Sequence, residues 1–547
     1  MSLYTRLAWD GLRKNKKLYL PYLLTCVGMV TLFYMMCALR DTPLLQNMRG
    51  GNSSRMVLAL GVYVIAVFSA LLLYYTSSFL ARRRQREFGL YHVLGMGKGN
   101  IAAVCAIETV LVAVIALTAG LALGVGLSFA AQQGLRATMR EAVEYTFAVD
   151  AAALAETVLV YLAIFALTLV STLVKVGRGT AISLLHSEQY GEKPPRGNAV
   201  IALLGLVLLG AAYTMAVVIQ EPLKALGMFF IAVILVILAT YLLFAAGSVT
   251  LCRMLQRNRD YYYQPRHFVP VSSMAYRMKR NGAGLASICI LATMILVMLS
   301  SSACLYFGAE DSLNASYPYE VDVTVWANDA GALPKLQEKL EAVGAPYGVD
   351  IWRQGSVTQS GDEVRWSGQF NTGLSRQQQL DLGRDIDEAL NDPSITWGYS
   401  RAYRAEAADE FYGTYGSLFF IGIVLSVMFI GAAVMMMYYK QLCEGYEDQP
   451  RFAMMQKVGM TAADIRASVN SQMLTVFFLP LVAAGVHLAF AFPMLTKILA
   501  LLNMTDRNWL LLMTAASFLV FGLFYLVVYR LTSNTYYKIV VSRSERE

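Results

Sequence analysis

The chain has 547 residues, of which 57% are hydrophobic and 15% charged, with a mean hydropathy of +0.49 and a formal net charge of +8. Soluble domains carry about 25% charged residues, so the composition excludes an ordinary soluble enzyme and indicates a membrane protein. The positive balance is no nucleic-acid footprint, because its distribution along the chain follows membrane sidedness.

A short basic segment opens the chain. Residues 1–17, with Leu7-Ala8-Trp9 followed by Lys14-Asn15, read as a helix lying in the membrane interface. The apolar run behind it is of full length and lacks a small-residue cleavage site, so it is expected to be a span rather than a cleaved leader. Ten such runs are long enough to cross ~30 Å of hydrocarbon at about 1.5 Å per residue. They lie near 18–39, 56–79, 101–130, 154–176, 198–219, 226–250, 284–307, 415–437, 473–499 and 509–531.

Lys and Arg cluster in alternate loops: before the first run and after the second, fourth, sixth, eighth and tenth. The positive-inside rule makes these loops cytoplasmic and puts both termini inside, which agrees with an even number of spans. The basic loops also suit an anionic cytoplasmic leaflet.

Two stretches 364 positions apart carry one pattern. Tyr74-Tyr75, Phe88, Gly95-Met96, Ile101 and Glu108 match Tyr438-Tyr439, Phe452, Gly459-Met460, Ile465 and Gln472. Each copy is an apolar run, a polar amphipathic helix, a Gly-Met turn and a second apolar run. A weaker echo of the N-terminal segment, Met274-Ala275-Tyr276 to Arg280-Asn281, precedes the seventh run. The chain therefore reads as two four-span modules, spans 1–4 and 7–10, joined by spans 5 and 6. The expected divisions are 18–178 for the first module, 179–253 for a linker with spans 5 and 6, and 254–308 for a cytoplasmic linker and span 7. An outer domain at 309–414, spans 8–10 at 415–532 and a tail at 533–547 complete the chain.

The outer segment 309–414 has 18 acidic and 8 basic residues, a net −10, so the rest of the chain is +18. Alternation at Tyr319–Val325 reads as a strand, Leu333–Val343 as a helix, and Val349–Arg353 and Glu363–Phe370 as strands. Ser375 caps a helix to about Asn391 and Ile395–Tyr403 closes with a strand. The order β-α-β-β-α-β is that of ferredoxin-like domains. Trp326, Trp352, Trp366 and Trp397 lie here, either as core or as exposed candidates for a ligand.

No phosphate loop of the G-x-x-x-x-G-K-[ST] type occurs, so the chain is not expected to hydrolyse ATP itself. The glycines of Gly95-Met96-Gly97-Lys98-Gly99 follow a helix, and a turn explains them better than a nucleotide loop. The four histidines show no metal-ligand spacing, and no cofactor is expected on this chain. His487 falls mid-span, where a neighbouring helix must satisfy it or a function must require it. Glu108 and Gln472 hold equivalent positions near the inner ends of their spans, and Glu108 needs a partner, plausibly a basic residue of a cytoplasmic helix.

The strongest candidates are the two cytoplasmic helices. The first, Arg82 to Leu94, carries Arg86, Glu87, Phe88 and Gly89 ahead of the Gly95-Met96 turn. The second, Glu444 to Val458, carries Glu444, Gly445, Glu447, Asp448, Arg451 and Phe452 ahead of Gly459-Met460. An aromatic anchor in a charged rim is what a helix uses to dock in a groove.

At these residues the chain resembles a known family. Tyr438 to Asp448, Arg451-Phe452, Gln456 to Met460, Phe477 to Leu481 with His487, and Arg86-Glu-Phe-Gly-Leu90 are similar to FtsX-like ABC-transporter permeases of the bacitracin-resistance (BceB) type. The resemblance implies a polytopic α-helical membrane protein of ten spans, with a small α+β extracellular domain between the seventh and eighth. It implies a cytoplasmic ABC ATPase homodimer that binds ATP and Mg, and a membrane histidine kinase as further partner. It implies a cationic peptide, or a lipid-linked cell-wall precursor, as ligand. Export or release of a peptide is one expected role, and signalling without transport is the other. The outer domain is shorter than is usual in that family.

Overall fold

The computed structural model describes residues 3–43, 45, 51–139, 149–178, 198–257, 265–328, 330–360, 363–393, 395–457, 462–502, 504 and 506–541. Among them, ten helices are long and apolar enough to cross a membrane. We number them spans 1 to 10: Lys16–Arg40, Gly51–Arg83, Lys98–Met139, Ala151–Arg178, Ala199–Val218, Pro222–Arg257, Pro265–Phe307, Arg404–Lys457, Ala462–Ala500 and Arg507–Val541. Span 6 changes to a single π-helical turn over Leu243–Gly247.

Each module is organised around one helix that touches the other three. Span 1 runs along span 3 and is flanked by spans 2 and 4; span 7 runs along span 8 and is flanked by spans 9 and 10. Spans 5 and 6 form a hairpin against spans 7 and 9. Span 8 leaves its own module to touch spans 2 and 3, so one apolar core runs through both halves. Phe68 meets Phe429 edge to face there, at 4.6 Å between ring centres. At the basic end, the paired tyrosines of the second repeat stitch across to span 1. Tyr438 Oη donates to the Lys17 carbonyl at 3.2 Å and Tyr439 Oη to the Leu18 carbonyl at 2.8 Å.

The small α+β domain follows helix Ala309–Ser316. It has strands β1 (Val321–Ala327), β2 (Gly355–Ser360), β3 (Glu363–Phe370) and β4 (Thr396–Tyr403). The sheet is antiparallel in the order β2-β3-β1-β4, with helices Leu333–Gly344 and Arg376–Leu390 completing the β-α-β-β-α-β sequence. Strict alternation along β1 buries Val321, Val323, Val325 and Ala327 against the helices. Ser375 and Gln378 form a reciprocal capping box on the second helix.

Two expectations are corrected here. The second strand is Gly355–Ser360; most of the predicted strand at Val349–Arg353 is loop, ending in a 3₁₀ turn at Trp352–Gln354. β2 is an edge strand with most of its residues exposed, so it carries little apolar pattern. The helix of span 8 begins directly after β4, at Arg404, and continues unbroken to Lys457. The second cytoplasmic helix is thus the lower part of span 8 and not a separate element.

The tryptophans divide. Trp366 is 1% exposed in the domain core, and Trp352 stacks on it at 5.9 Å with the planes 9° apart. Trp326 alternates with the buried residues of β1 and so lies on the sheet face turned away from the helices. The Trp397 side chain is outside the described residues. Removing a buried Trp leaves a cavity worth about 3–5 kcal/mol. Trp366→Ala should therefore make the domain far more sensitive to protease in the intact protein. Trp326→Ala should change the cleavage rate by no more than about twofold.

Candidate functional site

Span 2 ends at Arg83 and a short helix, Gln85–Val93, starts two residues later. The residue between them, Arg84, sits at φ −89° and ψ 1°, which bends the chain into an elbow. A run of arginines at a helix end would ordinarily face water. Arg84 is instead 2% exposed and lies among spans 1, 2 and 3.

Its charge is answered on three sides. Arg84 Nε donates to Glu87 Oε2 at 2.8 Å and Nη1 to Tyr19 Oη at 2.7 Å, and Nη1 also makes a short ion pair with Glu108 Oε2. Tyr19 Oη donates to the same Glu108 oxygen at 3.1 Å, and Asn15 Nδ2 donates to Glu87 Oε1 at 2.9 Å. The guanidinium also lies 5.1 Å from the centre of the Phe88 ring. Burial opposes the Arg84 charge, but the surrounding oxygens outweigh it and hold the group more firmly protonated than in water. The cluster thus ties together the joint at Asn15, span 1, the elbow helix and span 3.

The N-terminal helix (Leu3–Lys14) seals this cluster through Gly11. A Cβ at that position would lie 2.8 Å from Glu108 Oε1 and 3.0 Å from Arg84 Nη2. Only the missing side chain lets the helix approach so closely.

Glu108 therefore has a basic partner beside the elbow helix, and that partner is Arg84. The anchor expected at Phe88 is corrected: Phe88 is 3% exposed and packs with Ile101, Cys105 and Val176, as does the half-buried Met96. Gly89 is buried as well. The elbow helix presents Leu90, Val93 and Leu94 instead, which are 52%, 62% and 72% exposed. Glu87 lies on the rim of the cluster, and the Arg86 side chain is outside the described residues. Gly95, at φ 93°, turns the chain toward span 3.

The second copy is built differently. Glu444 and Asp448, expected as an acidic docking rim, are 1% and 3% exposed, and Gly445 is buried beside them. The side chains of Glu447, Arg451, Phe452 and Gln472, and all of Gly459 and Met460, lie outside the described residues. The 364-residue register sets Arg84 opposite Asp448 and Glu87 opposite Arg451, so the signs are inverted between the copies. That inversion was readable in the sequence, and it is the signal that could have singled out Arg84. Tyr19 had no such signal.

His487 is satisfied from two helices: Tyr213 Oη lies 2.6 Å from Nδ1 and Thr240 Oγ1 lies 3.1 Å from Nε2. It fastens span 9 to spans 5 and 6. Among the described residues, no group of three or more His, Cys, Asp or Glu is placed to hold a metal ion.

Residues 59–181, which contain both Arg84 and Glu108, match the FtsX-like permease C-terminal family. The chain is 21% identical to the ABC transporter permease protein YxdM of Bacillus subtilis, over 96% of this chain and 98% of that protein. It is 26% identical to the bacitracin export permease protein BceB of Halalkalibacterium halodurans, over 62% of this chain and 53% of that protein. With the BceB of Bacillus subtilis the identity is 23%, over 55% and 48%.

Removing one member of a buried ion pair strands the other, at about 3–5 kcal/mol, whereas replacing both with apolar groups strands neither. Arg84→Met or Glu108→Leu alone should lower the thermal stability of the detergent-solubilised protein strongly. The double variant should recover most of the loss, and additive losses would refute the pairing.

Proposed function

We propose, from the premise that this chain is an FtsX-like ABC-transporter permease, that it converts ATP hydrolysis in a separate cytoplasmic ATPase dimer into movement of its acidic outer domain. ATP and Mg would be held by that partner, and no cofactor is assigned to this chain. The orientation follows the basic loops, with both termini in the cytoplasm.

The observation that carries this reading is the helix Arg404–Lys457. Its 54 residues extend about 80 Å at the usual rise per residue. It starts directly behind β4 and ends in the second docking segment, so a push at one end reaches the sheet at the other. Arg376 of the domain's second helix pairs with Asp409 of this long helix, which ties the domain to the top of span 8, and Arg404 pairs with Glu310 of the helix that follows span 7. On the first copy the ATPase would meet Leu90, Val93 and Leu94, and the Arg84 cluster would carry the load into spans 1 and 3.

For ligands, we propose a cationic antimicrobial peptide, drawn by the net −10 of residues 309–414. It would be exported or released from a lipid-linked cell-wall precursor. A second reading is a mechanical signalling subunit that drives a membrane histidine kinase or a cell-wall hydrolase and moves no substrate. The same unbroken helix favours it, since a rod transmits motion without a substrate path.

Leu90→Asp with Leu94→Asp should reduce co-purification of the ATPase by at least about 30-fold, the scale of a lost hot spot. Phe88→Ala should act on stability first. Full association in the double variant would refute docking at this helix. Binding of a cationic peptide to the membrane-embedded protein should weaken at least ~10-fold as added salt shortens the Debye length from ~10 Å to ~3 Å. Salt-independent binding would refute the electrostatic part.

A further inference from the structure

A groove of about 530 Å³ lies between the N-terminal helix and spans 1 and 3. Leu12, Leu20 and Ile115 give it apolar walls, and the exposed Trp9, Arg13 and Lys16 also line it. Arg13 and Lys16 flank the bend at Asn15, where the chain leaves the interface and enters the membrane. No Asp or Glu is among its lining residues.

We infer that this groove holds one anionic phospholipid of the cytoplasmic leaflet. An acyl chain runs along Leu12, Leu20 and Ile115, and the phosphate sits between Arg13 and Lys16. Apolar walls facing the bilayer suit hydrocarbon, and a Trp at an interfacial helix marks headgroup depth. Two cations with no lining carboxylate select a net negative headgroup over a zwitterionic one, whose ammonium they would repel. The volume falls within the ~300–1,000 Å³ usual for ligand sites.

The site borders the coupling machinery. Gly11, in the same helix, rests on the Arg84–Glu108 pair. The choice of leaflet rests on the orientation proposed above. The groove's occupancy does not.

The test reads lipid carried by the intact permease from nanodiscs of mixed phosphatidylglycerol and phosphatidylcholine, by native mass spectrometry. The wild type should retain phosphatidylglycerol in preference. Each cation near an anionic headgroup is worth roughly fivefold, so Arg13→Gln with Lys16→Gln should retain roughly 25-fold less. Ile115→Trp, which fills the groove and leaves the charges, should also lose the lipid. Lys14→Gln with Lys17→Gln should retain it. Equal retention of the two lipids, or equal loss in both charge variants, overturns the site in favour of a diffuse surface effect. Labelling of a Lys14→Cys variant in sealed vesicles reads the leaflet separately: reaction from the outside would overturn the orientation and leave the retention result standing.

Discussion

A charged guanidinium with almost no access to water needs oxygens drawn in around it, and that requirement organises the first half of the molecule. Arg84 draws Glu108 from span 3, Tyr19 from span 1 and Glu87 from the elbow helix to one point. None of these groups could be buried there alone at an acceptable energy. The bend after span 2 is therefore not slack: it is fixed by three helices at once. The elbow helix hangs from this knot with Phe88 inside and its aliphatic tip outside.

The repeat made two copies of one outline and then filled them with different mechanics. In the first copy the chain breaks at Arg84 and a cluster bridges the break. In the second, helix continues through the equivalent place, and the buried residue is Asp448. A fixed elbow receives force at an angle, whereas a rod passes it straight on. Only the rod leads to the α+β domain.

Much of this was legible in the sequence, and the failures share a cause. The ten spans, the order of elements in the α+β domain and the Ser375 cap follow from local pattern, which the chain carries in full. The need of Glu108 for a basic partner follows from the energetics of a carboxylate at membrane depth. Phe88 was misjudged because periodicity says which residues share a face, not which neighbour covers it; Val176, 88 positions away, covers this one. β2 was misplaced because an edge strand with solvent on most sides needs no apolar alternation. The continuity of span 8 was missed because the polar stretch after Tyr439 looks the same whether or not the helix bends there.

The stitch between the halves has a property of its own. Tyr438 and Tyr439 end on the carbonyls of Lys17 and Leu18, and every amino acid supplies a carbonyl. Substitution at residue 17 or 18 therefore leaves these bond partners in place. The two tyrosines have no such freedom, since each must bring a hydroxyl on a rigid ring of that length. At these two bonds the seam is written on one side only.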